Sequence, residues 1–293
     1  MIRKRCSGWI IMVLGMLWVT VFCGAVSATV YYVSSSSGDD DNTGLSPSDA
    51  FETVGKVNTL PLSPGDEVRF LCGDLWQGEM LVITDSGTPG NPIIFGSYPD
   101  GCPDKPVLSG ALPISGWTGQ AANLFRADLS AGANAGRFPN GINQLFRNGD
   151  RIPLGRWPNI EGHPDGGYST VDTHTPSLNQ IMDSELPPVD WSGAAIHMKG
   201  IRWYIMNRNV TASVGHTLTL NEDVTCYTGD CEGWGYFINA HLNTLDLENE
   251  WFYDPADNSV YLYTSQQPAD GELEGSVILE GSGDYLGGII LGT

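Results

Sequence analysis

Between residues 67 and 110 the chain is built from four short runs, EVRFLC (67–72), EMLVIT (79–84), NPIIFGSY (91–98) and KPVLSG (105–110), punctuated by PGD, GDLWQG, DSGTPGN and PDGCPD. Runs of this length, rich in β-branched and aromatic residues and bounded by Gly, Pro and Asp, read as strands, and helical periodicity is absent from them. Phe70 to Phe95 spans 25 residues, the length of one coil in a parallel β-solenoid, whose repeats bury a core only by stacking. A twisted β-sandwich would show similar strands, because periodicity alone leaves the pairing open.

The segment before these runs departs from the β pattern. In SPSDAFETVGKVNTL (46–60) Ser46 can cap a helix, Pro47 suits its first position and Asp49 its third. Ala50, Phe51, Val54 and Val57 then share one face, which predicts a short amphipathic helix covering the open end of the first coil. Ahead of it, SSSSGDDDNTG has the composition of an acidic linker, and Asp39, Asp41 and Gly44 echo a calcium loop. Such a loop of EF-hand type wants an acid at position 50, which is Ala50. The stretch therefore reads as the turn from the first strand into the helix, with calcium the one cation to consider and no other cofactor indicated.

From about 111 to 273 the regular spacing is lost. Asn148-Gly149 joins two short runs as a hairpin turn does, a Gly- and Pro-rich loop follows at 159–190, and EWFYD and SVYLYT flank PADN as a second hairpin. These features predict an antiparallel β insertion or second domain, with the earlier spacing resuming from Ser276.

At the N-terminus, Arg3, Lys4 and Arg5 precede an apolar run from Trp9 to Phe22, and Val26 and Ala28 fit a cut before Thr29. That is a secretory signal peptide over 1–28, so the expected location is secreted or periplasmic, with no membrane attachment after cleavage. Its removal leaves 11 Lys and Arg against 34 Asp and Glu, a net charge of −23. Such a surface repels nucleic acid, and no basic stripe offsets it. Four cysteines remain in an exported chain. Cys226 and Cys231 enclose the short loop YTGD and pair locally, leaving Cys72 and Cys102 to pair by elimination. C-x4-C without a second close pair is a poor zinc pattern.

The run YYVSSSSGDDDNTGLSPSDAFETVGKV with PGDEVRF, SGTPGNPIIFGSYPDG and KPVLSG resembles the start of secreted right-handed parallel β-helix proteins of carbohydrate metabolism, in which a short helix caps the first coil. FRNGDRIPLGRWPN with GYFINAHLNTLDLENEWFYDPADNSVYLYT is similar to β-helix glycoside hydrolases that carry an inserted β-sandwich, a group including β-xylosidase and fucosidase or xylanase types. The matching stretches cover most of 30–293. The resemblance implies an all-β fold: cap and first β-helix coils over 29–110, an inserted antiparallel β domain over 111–273, and an incomplete resumption of the β-helix over 274–293. It also implies that the catalytic carboxylates lie on coils beyond residue 293, so no catalytic pair is carried over and this chain alone is expected to be inactive.

Glycoside hydrolysis needs two carboxyl groups flanking the bond. Asp246, Glu248 and Glu250 alternate in LDLENEW and could share one face of a strand, but an acidic turn explains them without chemistry. Two Arg-Trp pairs, Arg156 with Trp157 and Arg202 with Trp203, could offer ring faces and hydrogen-bond donors to a sugar. Arg156 and Trp157 are the better candidates because they sit in a Gly/Pro-rich loop. His163, His174, His197, His216 and His241 show no metal-ligand spacing. The expected protein is a monomeric glycoside hydrolase of plant or algal polysaccharide or its oligosaccharides. The alternatives are a polysaccharide lyase, which would use a base and often calcium, and a non-catalytic glycan-binding or adhesion module.

Overall fold

The computed structural model describes residues 28–161, 163, 166–175, 178–227, 229–278, 285–286 and 289–291. All of the expected signal peptide except Ala28 lies outside them, as does most of the segment after Ile278. The described chain is mostly β, arranged in several small sheets, with one turn of α-helix and three 3-10 turns.

Strands Val30–Val33, Glu67–Leu71 and Ile94–Tyr98 form a parallel sheet in that order. Alternation sends Val68 and Phe70 inward and leaves Glu67 and Arg69 outside, joined by an ion pair of 2.6 Å. Leu75–Gln77 pairs in parallel with Val107–Ser109, and Leu81–Ile83 pairs in parallel with Ile289–Leu291. For this part of the chain the pairing is therefore parallel rather than that of an antiparallel sandwich.

The offset between paired strands differs from the sequence reading. Glu67 pairs with Ile94, a step of 27 residues, so Phe95 stands beside Val68 while Phe70 pairs with Ser97. The reason is that the ladder, and not the matching of like residues, sets the register, and Val68 and Phe95 pack into the same core.

The segment 46–60 does not form one helix. Pro47–Asp49 is a 3-10 turn with no side-chain cap from Ser46, Ala50 is extended, and only Val54–Val57 is α-helical. Thr53 supplies the cap, its Oγ1 accepting from Lys56 N at 2.9 Å. The apolar face is as read: Ala50, Phe51, Val54 and Val57 are all buried. What replaces the missing helix is edge pairing, because Phe51 N donates to Tyr32 O and Ser34 N to Phe51 O, covering the outer side of Val30–Val33. The acidic stretch folds around this contact. Asp40 accepts from Glu52 N, Thr53 N and Thr53 Oγ1, and Asp39 accepts from Asp41 N at 2.9 Å.

The remaining strands are antiparallel. Leu273–Ile278 lies between Ala111–Ile114 on one side and Leu145–Arg147 on the other, so the chain leaves and re-enters the parallel part side by side. Arg147 pairs with Asp150 across Asn148 and Gly149, both at positive φ. Trp251–Asp254 pairs with Ser259–Tyr263 across residues 255–258, and Leu124–Asp128 and Thr118–Ala121 extend that sheet.

The largest sheet runs Arg156–Trp157, Gly235–Asn239, Ala195–Ile201, Tyr204–Val214, Thr217–Leu220, Gln180–Met182, Thr173–His174, with Ser169–Thr170 also on Gly235–Asn239. Its core holds Trp191, Ile196, Met198, Leu218, Tyr236 and Ile238. A second core gathers Ile114, Phe138, Leu145, Trp251 and Leu262, and a third lies among the parallel strands. Cys72 is bonded to Cys102 and Cys226 to Cys231, with Cα separations of 6.3 and 5.3 Å. Among the described residues no helix is long and apolar enough to cross a membrane.

Candidate functional site

Where the parallel strands meet the antiparallel sheet they leave a cleft of about 660 Å³. One wall is Leu75 with the run Val107 to Ala111; the other is Gln144, Phe146, Asn148 and Gly149 with Glu272, Glu274 and Ser276. Strand alternation produces the second wall. Leu273, Gly275 and Val277 face the core, and a Cβ on Gly275 would lie 2.9 Å from Ile142 Cγ2 and 3.0 Å from Ile114 Cδ1. Glu274 and Ser276, at the alternate positions, line the cleft.

The polar groups of this wall are held by the protein. Arg147 Nε lies 3.0 Å from Glu272 Oε1, whose other oxygen accepts from Ala269 N at 2.9 Å. Gln77, from the parallel part, donates to Glu274 Oε1 at 2.5 Å and so ties the two walls together. Ser276 Oγ donates to Asn143 Oδ1 at 2.8 Å. Leu75 and Val107 are about half exposed, at 46% and 50%. The arrangement can seat a small polar molecule between apolar surface and oriented hydrogen-bond acceptors. Nothing in the sequence reading singled out Glu272 or Glu274; the E-x-E-x-S alternation across 272–276 was the available signal.

The sequence candidates lie elsewhere. Arg156 and Trp157 occupy a strand paired with Ile238 and Asn239, which turns Trp157 into the core against Trp191 and Tyr236, each 6.0 Å between ring centroids. Arg156 lies on the opposite face, 3.6 Å above the Phe237 ring, with Nε donating to Pro158 O at 3.2 Å and Nη2 to Gly167 O. Burial pulls its guanidinium below the ordinary value, with Tyr168 opposing. Trp157 thus packs in the core, and Arg156 ties Pro158 to Gly167. Arg202 and Trp203 are instead exposed at a hairpin tip.

Asp246, Glu248 and Glu250 do not share a strand face, since 245–250 is a turn. Asp246 accepts from Asn159 Nδ2, Glu248 from Thr264 Oγ1 and Ser265 N, and buried Glu250 from Asp246 N and Leu247 N. Their surroundings differ accordingly. Burial raises the Glu250 carboxyl despite those bonds, whereas the Thr264 hydroxyl lowers that of Glu248. The five histidines are dispersed, and among the described residues no three His, Cys, Asp or Glu side chains gather to hold a metal. Asp39 and Asp41 are part of the folded turn described above.

The architecture is similar to that of a solved glycoside hydrolase, with a TM-score of 0.60 at 20% identity over 84% of this chain and 45% of that one. At that identity the likeness concerns the fold. In sequence the chain is similar to lacto-N-biosidase of Bifidobacterium longum subsp. longum, 35% identical over 236 residues that make up 77% of this chain and 14% of that protein. The chain therefore spans about a seventh of the length of this curated relative. A GH136 lacto-N-biosidase from Eubacterium ramulus is 37% identical over 24% of this chain and 11% of its own, with a TM-score of 0.23. No protein-family profile matches the chain. Its relatives are glycoside hydrolases.

Proposed function

We propose that this chain is the N-terminal part of a secreted or periplasmic glycoside hydrolase that acts on oligosaccharides bearing lacto-N-biose. The observation that carries the reading is the 35% identity over 236 residues to a lacto-N-biosidase. It redirects the substrate from plant or algal polysaccharide toward lacto-N-biosides, and it favours hydrolysis over the lyase and adhesion alternatives. The parallel pairs Val30–Val33 with Glu67–Leu71 and Ile94–Tyr98, Leu75–Gln77 with Val107–Ser109, and Leu81–Ile83 with Ile289–Leu291 support a parallel β-helix as the scaffold. On this reading residues 29–110 form its cap and first coils, 111–273 an inserted antiparallel domain, and 274–293 its resumption.

Hydrolysis requires one carboxylic acid to protonate the leaving oxygen while a second carboxylate attacks, or activates water. We assign that pair to parts of the protein outside these 293 residues, in keeping with a match that spans only 14% of the lacto-N-biosidase. This chain contributes a wall: Glu274 and Ser276 orient hydroxyls and the apolar rim at Leu75 and Val107 meets C–H faces. The test is to incubate the full-length gene product with lacto-N-bioside, xylan and a uronate-containing polysaccharide. Release of lacto-N-biose with new reducing ends is expected. Unsaturated uronates, or xylan hydrolysis without lacto-N-biose release, would overturn the assignment.

A further inference from the structure

The turn between strands Ala195–Ile201 and Tyr204–Val214 is made by Arg202 and Trp203, and both side chains leave the sheet. Trp203 is 71% exposed, Tyr227 65% and Tyr204 46%. The Trp203 and Tyr227 rings meet edge to face, with centroids 5.8 Å apart and planes at 83°.

The backbone beneath these rings is tied together. Tyr227 N donates to Gly200 O at 2.9 Å, and the adjoining Cys226 is bonded to Cys231. Gly200 admits no side chain, since a Cβ there would lie 2.6 Å from Thr225 O. Strand and loop are thus pressed together backbone to backbone. Two large rings meet at a right-angled corner while their faces remain in water. Sugars present C–H faces that stack on such rings and hydroxyls that a guanidinium can bind.

We propose that Trp203, Tyr227 and Arg202 form a second carbohydrate-holding site, for a hexose-containing oligosaccharide. It shares no residue with the cleft, and it rests on the reading of the protein as carbohydrate-active. Its role would be to keep a glycan on the enzyme between cleavage events.

The test follows the indole N–H resonance of Trp203, assigned by its loss in Trp203→Phe, while lacto-N-biose and lactose are titrated into the chain. A saturable shift of that resonance is expected with at least one sugar, weakened about tenfold or more by Tyr227→Ala or Arg202→Ala at unchanged thermal stability. An indole resonance that stays still while other signals saturate, or that moves with neither sugar, would overturn the site. Movement in a protein whose full-length form cleaves no glycoside would uphold the site and defeat the hydrolase reading.

Discussion

His174 and His241 lie in surroundings that push their imidazoles in opposite directions. His174 sits 2.8 Å from Thr175 O and 3.0 Å from Asp230 Oδ1; the backbone carbonyl first, and then the carboxylate, raise it above the ordinary value of 6.5. Half-buried His241 is lowered by burial, against the opposing charges of Asp190 and Asp254. NMR titration should place their midpoints on opposite sides of 6.5, and two midpoints on the same side would contradict these environments. The stability consequences have opposite signs. The contribution of His174 is fully present below its unfolded value and is lost as pH rises through its higher folded value. That of His241 is present above its unfolded value and is lost as pH falls through its lower folded one. The dispersed histidine spacing was legible in the sequence, but these environments were not, because each depends on residues brought together by the fold. The Arg-Trp pairs show the same limit. Loop composition favoured Arg156 and Trp157, yet the long-range pairing with Gly235–Asn239 turned Trp157 inward and left Trp203 as the exposed ring.

Among the elements, the segment over 31–60 shows what local pattern can and cannot give. Its buried face was readable from spacing. Its backbone path was not, because Asp40 reaches across to Glu52 and Thr53 and draws Ala50 and Phe51 into extended pairing with the first strand. Burial would raise the Asp40 carboxyl, and the Thr53 and Glu52 bonds outweigh it, so it sits below its ordinary value. Gly44 is central to this packing: its φ is +72°, and a Cβ there would stand 2.2 Å from the Phe51 ring. Gly44→Ala should destabilise the chain by about 2–4 kcal/mol, combining left-handed strain with overpacking. Urea unfolding that gives a midpoint equal to wild type would show that this turn does not hold the cap in place. Hairpins were more legible than the cap. Asn148-Gly149 and PADN encode their turns locally, so neither needed distant residues to be recognised.

At the scale of the whole molecule, Leu81–Ile83 pairs in parallel with Ile289–Leu291. The chain departs after Val107–Ser109, builds its antiparallel sheets, and comes back beside strands laid down some 200 residues earlier, a closure that no local pattern encodes. The cleft exists because departure and return are neighbours, which is why sequence reading found the β-rich ends but not the site between them. On the function proposed above, this chain shapes and holds sugar for a hydrolase whose acid and nucleophile lie elsewhere in the protein. The most direct measurement compares lacto-N-biose release from a lacto-N-bioside by the full-length protein and by residues 29–293 at equal concentration. Turnover by the full-length protein and none by the shorter chain is the predicted result. Turnover by residues 29–293 alone would place the catalytic pair within them and overturn the proposed division of roles.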